Sequence, residues 1–324
     1  MRKAGGGKST GYGRLTDRAR GALLGLAVGD AVGTAVEFRA RGSFPPVTDM
    51  VGGGPFGLRP GQWTDDTSMA LCLAASLIEK KGFDAEDQIL KYCRWMEQGY
   101  MSSTGRCFDI GNATRAALDR FRKTGDPLAG STDPRSAGNG SIMRLAPVPL
   151  FFWPDQDAVE RHSAESSRTT HAAAECVDAC RLLGRVLCTA LAGASREDVV
   201  AEGVGMKGLA PRIGEVASGA WKTKTVEQVR GTGYVVESLE AALWCFWTTG
   251  SFRDAVLAAV NLGDDADTTA AVCGQIAGAF YGESGIPAPW LDTLAMRQEI
   301  ADMADALAFR SLHARDSGQG RSNE

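Results

Sequence analysis

TDRARGALLGLAVGDAVGTAVEF, residues 16–38, decides how this chain folds. Gly21, Gly25, Gly29 and Gly33 recur at every fourth position, which on an α-helix lines one face with hydrogen atoms and lets a second backbone approach closely. Small residues at that spacing in an apolar span also mark paired membrane helices. Asp30 in the middle and Glu37 at the end argue instead for a buried helix of a soluble core, because a carboxylate at bilayer depth is costly. A carboxylate held on such a helix must meet a metal, a donor or a proton, so Asp30 and Glu37 are the first candidates for function.

Helical periodicity continues outward from this segment, while alternating strand-like runs with hairpin turns are nearly absent, so the fold class is all-α. Candidate helices span 16–38, 66–81, 84–98, 112–123, 171–191, 235–248, 252–262, 267–281 and 292–309. Gly82, Gly99, Gly125, Gly193, Gly250, Gly263 and Gly282 stand where C-terminal caps belong. Residues 14–311 read as one domain, with a Gly- and Lys-rich leader at 1–13 and a polar tail at 312–324, both expected to be flexible. The leader's Gly5-Gly6-Gly7-Lys8-Ser9-Thr10 imitates the end of a phosphate loop, but Arg2 stands where the first glycine belongs and no strand precedes it. Two long loops, 39–62 and 125–146, carry much of the Gly and Pro and are expected to serve the site.

The composition excludes several classes. With 35 basic and 39 acidic residues, the 324-residue chain has no basic stripe, and nucleic acid is not an expected partner. Eight cysteines without a C-x-x-C pair, beside three histidines, argue for reduced buried thiols rather than structural zinc. No uninterrupted apolar run reaches membrane-spanning length and the start lacks a signal-peptide segment, so membrane insertion is not expected and the location is read as cytoplasmic.

Two acidic clusters carry the chemistry: Trp63-Thr64-Asp65-Asp66-Thr67 and Gly263-Asp264-Asp265-Ala266-Asp267-Thr268-Thr269. Carboxylates packed this closely repel one another unless cations neutralise them, and hard oxygen donors favour Mg²⁺, Mn²⁺ or Ca²⁺. Each cluster also fits an ordinary helix N-terminus, where Asp and Thr cap free amides. In the second long loop, Gly138-Asn139-Gly140-Ser141 sets glycines before a hydroxyl residue at an expected helix start, a place where amides can face a phosphate.

Taken in order, GLAVGDAVGTAVE (25–37), QWTDDT (62–67), GNGSIMR (138–144), Thr170-His171, GYVV (233–236) and GDDADT (263–268) resemble the ADP-ribosylglycohydrolases, particularly the bacterial branch that includes the dinitrogenase-reductase-activating glycohydrolases. The resemblance implies a compact single-domain orthogonal helical bundle, with long Gly-rich loops around a dinuclear Mg²⁺ or Mn²⁺ cleft. It also implies cleavage of the bond between C1″ of ADP-ribose and a protein side chain. By that resemblance Thr64, Asp65, Asp66 and Asp267 hold one metal and Asp265, Asp267 and Thr268 the other, with Asp267 bridging. Glu37 is the implied acid/base residue, and Asp30 is expected to orient ligands or water from behind. Gly138, Asn139, Gly140 and Ser141 match the pyrophosphate cradle, His171 a histidine near the distal pocket, and Tyr234 an aromatic that stacks on adenine. Asp109 matches an aspartate near the acceptor guanidinium, which favours arginine because a carboxylate takes two parallel hydrogen bonds from that fork. Asp264 departs from the usual Gly-Gly-Asp and is left outside the ligand set.

Three functions follow from this reading. The first is a hydrolase of ADP-ribosylated protein, acting on arginine; the second, the same chemistry on small ADP-ribose conjugates. The third is an immunity or binding protein that occludes a cognate ADP-ribosyltransferase, with the leader 1–13 as its contact. The complete donor set favours the first.

Overall fold

The protein's structure is a computed structural model that describes the backbone of residues 7–318 and the side chains of residues 13–308. Among the described residues the regular elements are helical: α1 (Gly7–Gly33), α2 (Asp65–Lys80), α3 (Ala85–Gln98), α4 (Asn112–Thr124), α5 (Pro147–Phe152), α6 (Gln156–Arg168), α7 (Ala174–Ala192), α8 (Arg196–Ala201), α9 (Pro211–Ala217), α10 (Val235–Thr248), α11 (Phe252–Val260), α12 (Ala266–Tyr281), α13 (Ala288–Thr293) and α14 (Arg297–Gly318). Extended pairing is limited to isolated bridges, which include Ser131 with His171 and Gly138 with Tyr234.

The glycine seam of α1 meets a second seam on α12. A methyl group on Gly21, Gly25, Gly29 or Gly33 would run into the backbone of Gly278, Gly274, Ala270 and Asp267 respectively, and one on Gly274 or Gly278 would strike α1 in return. The two backbones touch because α1 carries no side chain along this line and α12 has glycine at 274 and 278, and this contact sets Asp267 directly against the end of α1. Gly25→Val is therefore expected to destabilise the fold by about 3 kcal/mol or more, at the upper end for overpacking, since the nearest atoms are the Gly274 backbone, which cannot rotate away. Gly13→Ala, with open space at its Cβ position, is the matched control and should be neutral or stabilising by up to about 1 kcal/mol. Urea unfolding of the two variants checks this, and equal midpoints would refute a seam of close contact.

Around this pair the main core gathers α5, α7, α10, α11 and α14, while a second apolar cluster under α3 and α4 joins Met69, Ile89, Tyr92, Trp95, Leu118, Phe121 and Met143. The stretch Gly13–Val36 is long and apolar enough by composition to cross a bilayer, yet 89% of its most apolar window is buried inside this protein. That burial agrees with a soluble core helix.

Several expectations need correction. Helices α5, α6, α8, α9 and α13 lie outside the expected set; α6 escapes a periodicity reading because its buried face includes Ser163, Ser166 and Ser167. Helix α7 starts at Ala174 rather than His171, because His171 is drawn into the bridge with Ser131. The left-handed residue ending α2 is Lys81 at φ 57°, one before Gly82, and Thr249 rather than Gly250 ends α10. Helix α1 begins at Gly7, inside the span read as a leader, and α14 continues to Gly318, inside the span read as a tail. The rest of both spans, 1–6 and 319–324, lies outside the described residues.

Candidate active site

Glu37 ends a short 3₁₀ turn, Thr34–Val36, that continues α1. Its chain then turns through Phe38, whose φ of 62° is rare for a bulky side chain. Two backbone bonds of 2.8 Å hold that turn: the Phe38 amide donates to the Asp264 carbonyl, and the Asp264 amide donates to the Arg39 carbonyl. Asp264 itself has φ 56°, a conformation that Gly adopts freely and Asp tolerates better than most residues. This explains the departure at Asp264: the position demands a left-handed backbone, and its service to the site is through the main chain.

Asp30 stays behind the site, as expected. Its Oδ1 accepts from the amide and the hydroxyl of Thr64 at 2.9 Å each, and its Oδ2 from the amide and hydroxyl of Thr67 at 3.0 and 2.6 Å. Thr64 is the N-cap of α2 but makes no side-chain cap bond. Asp30 thus caps α2 from another helix and fixes the rotation of its acidic first turn.

That turn faces α12. Thr64 Oγ1 lies 3.2 Å from Asp267 Oδ2 and 3.5 Å from Asp66 Oδ2, while Thr268 Oγ1 lies 3.3 Å from Asp66 Oδ2. The two clusters are one constellation. A hydroxyl has a single proton, and the shortest bond of Thr64 Oγ1 is to Asp30, so its lone pairs face two carboxylates. Asp66 Oδ1, Asp267 Oδ1 and Glu37 Oε2 are buried with no partner. Donor atoms of Glu37, Asp109 and Asp267 all lie within 4.8 Å of one another, close enough to share an ion. Orphaned buried oxygens of this kind fit a hard divalent cation, and the carboxylates and threonines present are suitable donors.

The electrostatics agree. Burial first, then mutual repulsion, lifts Asp65, Asp66 and Asp267 well above the ordinary carboxylate range, and burial also raises Asp265. Glu37 is pushed up to about 10 by burial and by Asp109 and Asp265, and Asp109 is raised to about 7 by burial. Carboxyl oxygens of Glu37 and Asp109 lie within 4.8 Å of each other, so the two repel when both are ionised and the pair favours holding a shared proton.

A cavity of about 280 Å³ opens over this cluster. Glu37, Asp65, Asp109, Asp265, Asp267 and Thr268 line one side, and Gly138, Asn139, Gly140 and His171 another. Asn139 Nδ2 donates to Asp265 Oδ2 at 2.8 Å, which ties the turn to the second acidic cluster. The turn is not a helix start, because α5 begins only at Pro147. Its first amides are committed: Gly138 N donates to the Ser136 carbonyl and Asn139 N to the Gly233 carbonyl. Ser141 is not among the residues lining the cavity, and its buried hydroxyl has no partner. Tyr234 lies in an adjoining open cleft with Pro134, Arg135, Gly138 and Glu175, its hydroxyl donating to Glu175 Oε2 at 2.7 Å. Gly138 borders both spaces and joins them.

The sequence reading passed over Phe38, 67% exposed at the rim of the cavity beside Glu37, and Asn112 and Thr114 on its wall. Nothing in the pattern around Phe38 distinguishes it from a core aromatic closing an apolar helix.

The chain is 49% identical over 295 residues to the ADP-ribosylarginine hydrolase Tri1 of Pseudomonas putida, covering 91% of this chain and 79% of that relative. It is 34% identical to the ADP-ribosyl-[dinitrogen reductase] glycohydrolase of Rhodospirillum rubrum, over 90% of this chain and 95% of the relative. A solved structure titled "ADP-ribosylglycohydrolase-related protein complex" superposes with a TM-score of 0.82 at 44% identity, covering 92% of this chain and 99% of that one. The sequence pattern of the ADP-ribosylglycohydrolases matches residues 12–319, and the chain belongs to that family.

Proposed function

We propose that this protein hydrolyses the N-glycosidic bond joining ADP-ribose to an arginine side chain of a modified protein. The observation that carries it is the convergence, on one cavity, of two acidic clusters, the Glu37–Asp109 carboxyl pair and the Gly138–Gly140 turn. Thr64, Asp65, Asp66 and Asp267 would hold one Mg²⁺ or Mn²⁺ ion and Asp265, Asp267 and Thr268 a second. Bound there, such ions supply Lewis acidity toward ribose hydroxyls and water.

The chain's own residues do the rest. Asn139 keeps Asp265 aimed at the cavity, and Asp30 keeps Thr64 and Thr67 in place. Gly138 and Gly140 give a phosphate-bearing ligand room to pass from the cavity to the cleft beside Tyr234, whose ring offers a face to a purine. Glu37 exchanges the proton: the water oxygen bonds to C1″, the C1″–N bond breaks, and the leaving guanidine nitrogen takes a proton while the other product is ADP-ribose. Arginine is favoured by the Glu37 and Asp109 carboxyls, which can accept from a guanidinium fork, and by the exposed Phe38 ring beside them, which can stack on its plane. The names of the Tri1 relatives support the same acceptor. Eight free thiols support a reducing, cytoplasmic setting. An ADP-ribosyltransferase that modifies the target would supply the substrate, and direct contact with such an enzyme is a separate part of this proposal.

The test is to incubate the full chain and Mg²⁺ or Mn²⁺ with an arginine-linked and a serine-linked ADP-ribosylated protein, and to measure released ADP-ribose. Release from the arginine-linked protein alone is expected. Release only from the serine-linked protein, or from a small conjugate such as a 1″-phosphate, would sink the assignment.

A further inference from the structure

Arg144 is a fully buried side chain that the proposed chemistry leaves unused. Its guanidinium lies 4.6 Å over the Tyr92 ring, its Nε has no partner, and its Nη2 donates to Thr170 Oγ1 at 2.7 Å, with longer contacts of 3.4 Å to Ser166 O and Thr169 Oγ1. No ion pair with a carboxylate holds it among the described residues. Thr170 Oγ1 has one other neighbour, His171 Nδ1 at 2.8 Å.

We propose that Arg144 and Thr170 are positioning residues that lock His171 in the tautomer with its proton on Nε2, so that the ring donates a hydrogen bond to a phosphate oxygen of a ligand seated on the Gly138–Gly140 turn. A guanidinium only donates, so the Thr170 oxygen must accept from Arg144. Thr170 has one hydroxyl proton and one neighbour left to take it, His171 Nδ1. Were Nδ1 protonated instead, two donors would converge on the Thr170 oxygen and its own proton would be buried without an acceptor, an arrangement native proteins avoid. The ring's single proton therefore sits on Nε2.

Nε2 lies on the side of the turn. A Cβ placed on Gly138 would be 3.6 Å from it and one on Gly140 only 2.9 Å, so glycine at 140 is what lets the imidazole edge stand beside the loop. His171 lines the cavity there. Burial and the Arg144 charge hold the ring's pKa near 3, which keeps it neutral and preserves the tautomer across the working pH range. The donor has a fixed direction, and the uncompensated guanidinium behind it adds positive potential toward an anion. The ligand assignment rests on the proposed function, whereas the tautomer does not.

The ¹⁵N spectrum of histidine-labelled full chain tests both. With three histidines in the sequence, a His171→Asn variant identifies the ring. The expected signature in the ligand-free protein is unprotonated Nδ1 with protonated Nε2, unchanged between about pH 5 and 8, and the same in Thr170→Ser. Thr170→Val should lose the lock, giving a mixture of tautomers. It should also weaken ADP-ribose binding by calorimetry, and raise KM, roughly tenfold with kcat within about twofold. A proton on Nδ1 in the wild type, or a Thr170→Val protein with unchanged tautomer and unchanged Kd, overturns the proposal. If Thr170→Val does not fold, the wild-type and Thr170→Ser spectra decide the tautomer. Failure of wild-type protein to bind ADP-ribose while showing the Nε2–H signature overturns the ligand and the proposed function, and leaves the tautomer as found.

Discussion

Asp267→Asn is expected to lower kcat by roughly three orders of magnitude, the upper range for losing one electrostatic stabiliser of a transition state, and at the same time to make the cation-free protein more stable. The two effects have one origin. Asp267 is buried against the α1 seam, has Oδ1 without a partner, and is raised by burial and by Glu37, Asp66 and Asp265. Its charge is useful only to a cation. Where a carboxyl has a folded-state pKa above its unfolded value, the folded state binds the extra proton, and stability falls as pH rises between the two values. Glu37 moves from 4.5 to about 10 and Asp109 from 3.8 to about 7. In a chelating buffer the wild type should therefore lose about 5 °C or more of Tm from pH 5 to pH 9. Asn at 267 should flatten that decline, because one repelling charge is gone. Adding Mg²⁺ or Mn²⁺ at pH 8 should raise Tm in the wild type and hardly at all in the variant. Thermal scans of both proteins with and without cation check this; equal stabilisation by cation would show that Asp267 is not a ligand.

The same residues show how far a sequence can be read. The glycines of α1 were legible because a four-residue spacing has one meaning on a helix, and their partners on α12, Gly274 and Gly278, repeat the spacing. The acidic clusters were legible because like charges in short segments demand a counterion. Asp264 was not: the pattern left it outside the ligand set without a role, and only its φ of 56° and its backbone bonds to Phe38 and Arg39 reveal one. Arg144 and Thr170 stood in or beside quoted motifs, but their link is a single hydrogen bond across 26 positions of chain. Residues whose role lies in what they touch were hidden, and residues whose role lies in spacing or charge were visible.

Glu37→Gln is expected to lower kcat by about 10²–10⁴-fold, the contribution of a positioned proton-transfer group, with KM nearly unchanged. Glutamine keeps the shape beside Asp109, so the cavity is preserved while the transferable proton is removed. Glu37 suits that role because it combines three properties: a place beside Asp267 and Asp109 within 4.8 Å, an oxygen with no partner, and a rigid backbone pinned through Phe38 to Asp264. Its elevated pKa keeps the group protonated in the absence of a cation, and a cation nearby would bring it down toward neutrality, where a group both gives and takes protons well. The competing role is that of an ordinary cation ligand, which the same geometry would serve. Titrating activity against Mn²⁺ separates the two. A ligand's loss is recovered at high cation concentration, because it acts on affinity; a proton donor's loss persists at saturation and flattens the pH dependence of kcat. Recovery of wild-type kcat by excess Mn²⁺ would move Glu37 into the ligand set and leave Asp109, the other half of the shared proton, as the group to which the acid/base role must pass.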